Sequence, residues 1–93
     1  GLGLVGLIEV SLTHHAQEQI DSFHQMLEEV DAILDAYKTT GDADYLLKVA
    51  VADLPALDDL ISQTLSRHKS VAHIKTAVVL NRIKENGLLP VAR

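Results

Sequence analysis

Apolar and polar residues alternate with two periods along this chain, and the places where the period changes mark out its elements. From Leu2 to Thr13 the period is two: Leu4, Ile8, Val10 and Leu12 face one way, Val5, Leu7, Glu9 and Ser11 the other. This reads as a strand whose glycines imply a close backbone approach or a bulge. From Ala16 to Val30 the period is helical, with Ile20, Phe23, Leu27 and Val30 on one stripe and Gln, Glu and Asp opposite. Ala32 to Thr39 returns to a strand, with Ile33 and Tyr37 on one side and Ala32, Leu34 and Ala36 on the other. Gly41, flanked by acids, supplies hairpin turn chemistry, and Tyr45 to Ala52 is the return strand. Asp53 then caps a second helix with Pro55 in its first turn, where a missing N–H costs nothing. Its buried stripe is Leu57, Leu60, Ile61 and Leu65, and Arg67, His68 and Lys69 stand at the end the helix dipole favours. Val71 to Ile83 alternates again as a long last strand, and Lys84 to Arg93 reads as a loop or short edge segment.

The order strand, helix, strand, strand, helix, strand predicts a ferredoxin-like α+β sandwich, βαββαβ, with an antiparallel four-stranded sheet. Two helices cover only one face of such a sheet. Leu2–Leu12 and Tyr45–Ala52 are nevertheless apolar on much of both faces. An uncovered apolar face marks an interaction surface, so a homodimer formed through the sheet is expected.

Composition narrows the chemistry. The 93 residues form one domain with an aliphatic core, since hydrophobic residues make up 47% and aromatics only 3%. No Cys is present, which removes disulfides, thiolate catalysis and Cys-based zinc sites and fits a cytoplasmic location. No apolar run reaches membrane-spanning length, so no membrane association is expected. A secretory signal is not expected either, because the apolar start has no basic flank and is interrupted by Glu9. The net charge of −5 argues against this segment gripping nucleic acid by itself. The charge is uneven: twelve of the thirteen acids lie at or before Asp59 and six of the eight bases at or after Arg67. That asymmetry suits pairing between copies as well as an ordinary solvated surface.

Most of the polar chemistry sits in the turn Gly41-Asp42-Ala43-Asp44, directly before Tyr45. A calcium loop needs more oxygen ligands at its own spacing. Acid–base catalysis needs a nucleophile or a matched partner, and none is visible. The remaining readings are ordinary turn hydrogen bonding and a small zwitterionic ligand. Five histidines, His14, His15, His24, His68 and His73, include no helical i, i+4 pair, so no metal or other cofactor is expected.

The stretch GDADYLLKV, Gly41 to Val49, followed by Asp53-Leu54, resembles the signature of the C-terminal effector-binding domain of Lrp/AsnC transcriptional regulators. Gly3 to Val10 (GLVGLIEV) is similar to that domain's first strand, and Val71 to Thr76 (VAHIKT) to the joint between its second helix and last strand. The likeness runs from about Leu4 to Ile83, with Ala43 standing where the family usually has an aromatic. It implies dimerisation through the sheets, further association often as four dimers in a ring, and amino acid effectors bound between dimers. By the same resemblance the effector site comprises Gly41, Asp42, Asp44 and Tyr45 of the turn with Thr76, Ala77 and Val78 of the last strand. Asp44 would meet the effector's ammonium, and turn N–H groups or the Thr76 hydroxyl its carboxylate. The family's helix-turn-helix has no counterpart here, so DNA would be reached only through a domain absent from this chain. The chain is then either a piece of a longer regulator or a stand-alone effector domain. A ligand-free dimerisation module of the same fold, and more remotely a small ferredoxin-like enzyme, remain as alternatives.

Overall fold

The computed structural model describes residues 3–13, 16–81 and 83–84. Strand β1 (Leu4–Leu12), helix α1 (Gln17–Glu29), strands β2 (Ile33–Lys38) and β3 (Tyr45–Val51), helix α2 (Leu54–Asp59) and strand β4 (Val71–Val78) follow in the expected order. They form one antiparallel sheet in the order β2-β3-β1-β4, with β1 and β3 central. This is the ferredoxin-like arrangement.

The register decides which residues share a face. Val10 lies across from Tyr45 and Ile74, and Ile8 across from Leu47 and Thr76. Ile8, Val10, Leu12, Tyr45, Leu47 and Val49 are buried beneath the helices, with Phe23 and Leu27 from α1 and Leu57 from α2 closing over them. Gly6 makes that closure tight: a Cβ there would stand 3.3 Å from the Val49 side chain and 3.5 Å from that of Leu57. The opposite face carries Val5, Leu7, Glu9 and Ser11 of β1, Leu46, Lys48 and Ala50 of β3, and His73, Lys75 and Ala77 of β4.

Three expectations need correction. In β2 the register skips a residue between Ile33 and Asp35, which pair with the adjacent Val49 and Lys48. The bulge absorbs Leu34 and inverts the alternation beyond it, so Ile33 shares the helix-covered face with Ala36 and Lys38 while Asp35 and Tyr37 turn to the other. The second helix is not one α-helix running to the basic cluster. At Leu60 it passes into a π-helical stretch, Leu60–Leu65, whose exit is marked by the Ser66 N–H donating to the Ile61 carbonyl at 2.8 Å. Bonding at i→i+5 lets Leu60 and Leu65, five residues apart, both reach the core. Finally, β4 ends at Val78, not Ile83. Its partner β1 begins at Leu4, and the last ladder bond is from the Val79 N–H to the Val5 carbonyl at 2.9 Å. Past that point no strand among the described residues pairs with it, and Leu80 and Ile83 are 95% and 87% exposed. The proposed tail beyond Lys84, the start at Gly1-Leu2 and the pair His14 and His15 lie outside the described residues.

The cap of α2 agrees with local chemistry. The Asp53 carboxylate accepts from the Ala56 N–H at 2.9 Å. Gln17 with Asp21 and Gln25 with Glu29 make i, i+4 bonds along the exposed side of α1. No helix among the described residues is long and apolar enough to cross a membrane.

Candidate functional site

The turn between β2 and β3 is built by its own polar residues. Gly41 takes φ +106°, a conformation that strains residues with a Cβ. The Thr39 hydroxyl donates to the Ala43 carbonyl at 3.1 Å, and the Thr39 N–H to the Asp44 carbonyl at 3.0 Å. The Ser11 hydroxyl reaches the Asp42 carbonyl at 3.3 Å, tying the turn to β1.

The two aspartates differ in employment. The Asp44 N–H donates to the Val10 carbonyl at 3.0 Å, and its carboxylate accepts from the Leu12 N–H at 2.7 Å. That N–H faces the β3 side of β1, just past the last β1–β3 pair, Val10 with Tyr45. A carboxylate there satisfies a partly buried donor that a regular ladder would otherwise serve. Asp42 stays exposed at the rim.

On the open sheet face this turn borders a groove of about 210 Å³ lined by Glu9, Ser11, Asp42, Ala43, His73, Ile74 and Lys75. Glu9 lies across from Lys75, and Ser11 across from His73. The groove is therefore polarised, with carboxylates at the turn and on β1 and cationic or protonatable side chains on β4. That pattern complements a small zwitterion. Glu9, Ser11, His73 and Lys75 are not among the effector-site residues expected from the sequence. The signal that finds them is the β1–β4 register, which alternation alone does not contain.

Tyr45 does not join the turn's carboxylates in the groove. Its ring points to the helix side, 5.0 Å from the Phe23 ring, and its hydroxyl lies 2.7 Å from His24 Nε2. Burial first, and the neighbouring Asp44 charge second, push that hydroxyl above its ordinary pKa of 10.0. Thr76 and Val78 also belong to the helix side, paired with Ile8 and Gly6, whereas Ala77 lies on the open face across from Leu7. Of the residues expected from the sequence, Asp42 thus lines the groove, Gly41 and Asp44 shape its turn, and Ala77 continues its face.

One pair resembles hydrolytic machinery, Ser22 Oγ with His68 Nε2 at 3.2 Å. It is wired otherwise. His68 Nδ1 accepts from the Ser70 N–H at 3.2 Å, so in the neutral ring Nε2 carries the proton and donates to Ser22. A histidine in that tautomer does not take a proton from the serine. Among the described residues no three His, Asp or Glu side chains gather as a metal site.

The comparisons with known proteins point one way. Residues 5–89 match the Lrp/AsnC ligand binding domain. The glutamate uptake regulatory protein of Zymomonas mobilis is 30% identical over 90 residues, covering 97% of this chain and 54% of that protein. The leucine-responsive regulatory protein of Escherichia coli K12 is 30% identical over 86 residues, covering 92% and 52%. The chain therefore spans about half the length of these curated relatives. A transcriptional regulator from Neisseria meningitidis, solved in complex with L-Met, superposes with a TM-score of 0.88 at 30% identity over 96% of this chain and 57% of that one. Escherichia coli AsnC shares the fold, with a TM-score of 0.84 at 22% identity over 97% and 59%.

Proposed function

The chain belongs to the Lrp/AsnC family, and on that premise we propose that it is the amino-acid-sensing and oligomerising domain of a transcriptional regulator. The observation that carries this reading is the polarised groove beside the GDAD turn, whose charges match an amino acid's two ends. The solved relative holding L-Met supports the ligand class.

In this reading the ligand's ammonium meets the Asp42 and Glu9 carboxylates. Its carboxylate meets Lys75, the Ser11 hydroxyl and the N–H groups around Gly41, a turn geometry suited to anions. Asp44 holds the turn against β1, and Tyr45 anchors the next residue in the core. Ala77 extends the floor, while Thr76 and Val78 keep β4 on the sheet. The sheet's open face is covered by a second copy through a two-fold contact, with Leu7, Leu46 and Ala77 at its centre, and such dimers assemble further, up to four in a ring. DNA is contacted by a helix-turn-helix elsewhere in a longer, cytoplasmic regulator. The domain carries out no catalysis. The effector acts by favouring one assembly state over another, which changes how the attached DNA-binding units are spaced.

A panel of the twenty amino acids, read by thermal shift and by light scattering, tests the reading. At least one should raise Tm, since a ligand at a hundred times its Kd stabilises by about 2.7 kcal/mol. Asp42→Ala and Lys75→Met should lose that response while keeping the unliganded Tm. Silence across the whole panel sinks the sensing role. A monomer at micromolar concentration sinks the sheet-to-sheet dimer.

A further inference from the structure

Residues 44 and 45 serve opposite sides of the sheet, and the side that Tyr45 serves has a cavity of its own. Between α1 and β2 lies a cleft of about 300 Å³, lined by His24, Leu27, Glu28, Ala36, Lys38 and Tyr45. Its mouth adjoins a second depression of about 220 Å³, which shares Leu27, Glu28 and Ala36 and adds Ile33, Leu34 and Asp35. Together they form a trough along the edge strand β2, with Lys38 at one end and, at the other, Ile33 and Leu34 beside the Glu28 and Asp35 carboxylates.

The polar end is assembled from three elements. Lys38 lies across from Tyr45 in the β2–β3 register, so both project to the helix side. His24 arrives from α1 and holds the Tyr45 hydroxyl at 2.7 Å, with the two rings edge to face. Tyr45 is 4% exposed and bonded to His24, so its hydroxyl is fixed in place as a neutral donor or acceptor. An ammonium, an imidazole and a phenol converge there, with the Glu28 carboxylate on the α1 wall and Leu27 and Ala36 as an apolar floor beside them. The β2 bulge shapes the far end: by absorbing Leu34 it leaves that side chain 55% exposed against the trough.

We propose that this trough is a second small-ligand site, separate from the groove, that takes an aliphatic monocarboxylate. The carboxylate pairs with Lys38 and bonds to the His24–Tyr45 pair, and the hydrocarbon tail lies along Leu27 and Ala36 toward Leu34. A charge-assisted bond in a half-enclosed site supplies the recognition, and the preformed cavity lowers the ordering cost. Because Asp44, the last residue of the turn, directly precedes Tyr45, the first of β3, occupancy of the trough bears on the turn that borders the groove. The site itself does not depend on the groove's role in amino acid sensing.

The test titrates isovalerate, an aliphatic carboxylate with no ammonium, into the 15N-labelled chain. Amide resonances of His24, Ala36, Lys38 and Tyr45 should shift in a saturable way, and Lys38→Met should weaken binding by about tenfold or more. Asp42→Ala should leave isovalerate binding unchanged, which separates this site from the groove. Isobutylamine, of the same shape but opposite charge, should not compete. Absence of saturable shifts, shifts centred on Ser11, His73 and Lys75 instead, or unchanged affinity in Lys38→Met would each overturn the proposal.

Discussion

The two faces of the sheet are made by the same strands and have opposite fates. On the helix-covered face Ile8, Val10, Leu47 and Val49 are each 0% exposed. One residue along, on the open face, Leu7 is 37% exposed and sits among Glu9, Lys48 and Lys75. The covered face is apolar on its central strands, apart from the Tyr45 hydroxyl, and closed by Phe23 and Leu57. The open face interleaves apolar side chains with oppositely charged cross-strand neighbours, Glu9 with Lys75 and Asp35 with Lys48. A core interior does not need that charge pattern, because buried charges cost more than they return unless fully paired. A face that is exposed at one time and covered by another chain at another is served by it, since opposed charges set register and discourage wrong partners. The difference teaches that apolar content alone does not separate a core face from an open one; the placing of charge among the apolar residues does.

The largest effect should come from the covered face. Phe23→Ala removes a fully buried ring that touches Tyr45 and His68, and should cost about 3–5 kcal/mol in denaturant unfolding. A loss below about 1 kcal/mol would mean that the helix layer is far looser than the packing indicates. On the open face, Leu7→Lys places a second cation across from Lys48. It should convert a dimer to a monomer in light scattering and leave monomer stability within about 1 kcal/mol. A variant still dimeric would place the dimer contact elsewhere.

The turn tests the comparison at finer scale, since Asp44 is bonded into the sheet while Asp42 faces the groove. Asp44→Ala orphans the Leu12 N–H and should cost about 1–3 kcal/mol, whereas Asp44→Asn, which keeps an acceptor oxygen, should recover most of that in thermal unfolding. Asp42→Ala should change stability by less than about 0.5 kcal/mol. Equal losses at the two positions would erase the distinction between them.

The smallest effect is alkaline. The folded state holds Tyr45 protonated above its ordinary pKa of 10.0, so the unfolded chain releases the proton first. Stability contributed by the neutral hydroxyl is therefore complete below pH 10 and declines as pH rises from there through the raised folded value. Tyr45→Phe should flatten that decline in a pH series of unfolding curves, and an unchanged slope would show that Tyr45 does not titrate with folding.

Much of the architecture was legible because it is local. The strand period of Leu4–Leu12, the helical stripe through Phe23 and Leu27, the Asp53 cap and the Gly41 turn each state themselves within a few residues. The site was legible only at the turn. Glu9 and Lys75 are 66 positions apart by their numbers, and only the β1–β4 ladder makes them neighbours. The family resemblance groups Tyr45 with the turn's acids, yet the pleat sends consecutive side chains to opposite faces. The bulge at Leu34 and the π-helical stretch at Leu60–Leu65 were hidden for a related reason. Each is a local departure from a regular period made to satisfy packing against another element.

By itself, then, the sequence determined the order of the elements, their polarity and the chemistry of the turn, since these follow from neighbouring residues and backbone preferences. Tertiary structure alone decided the register, and with it which alternating set is buried, which aspartate is spent on the fold, and which side chains from distant strands share the groove. The physical reason is that hydrogen-bond ladders and side-chain packing couple residues remote along the chain, and a one-residue slip in a ladder exchanges the two faces of a strand.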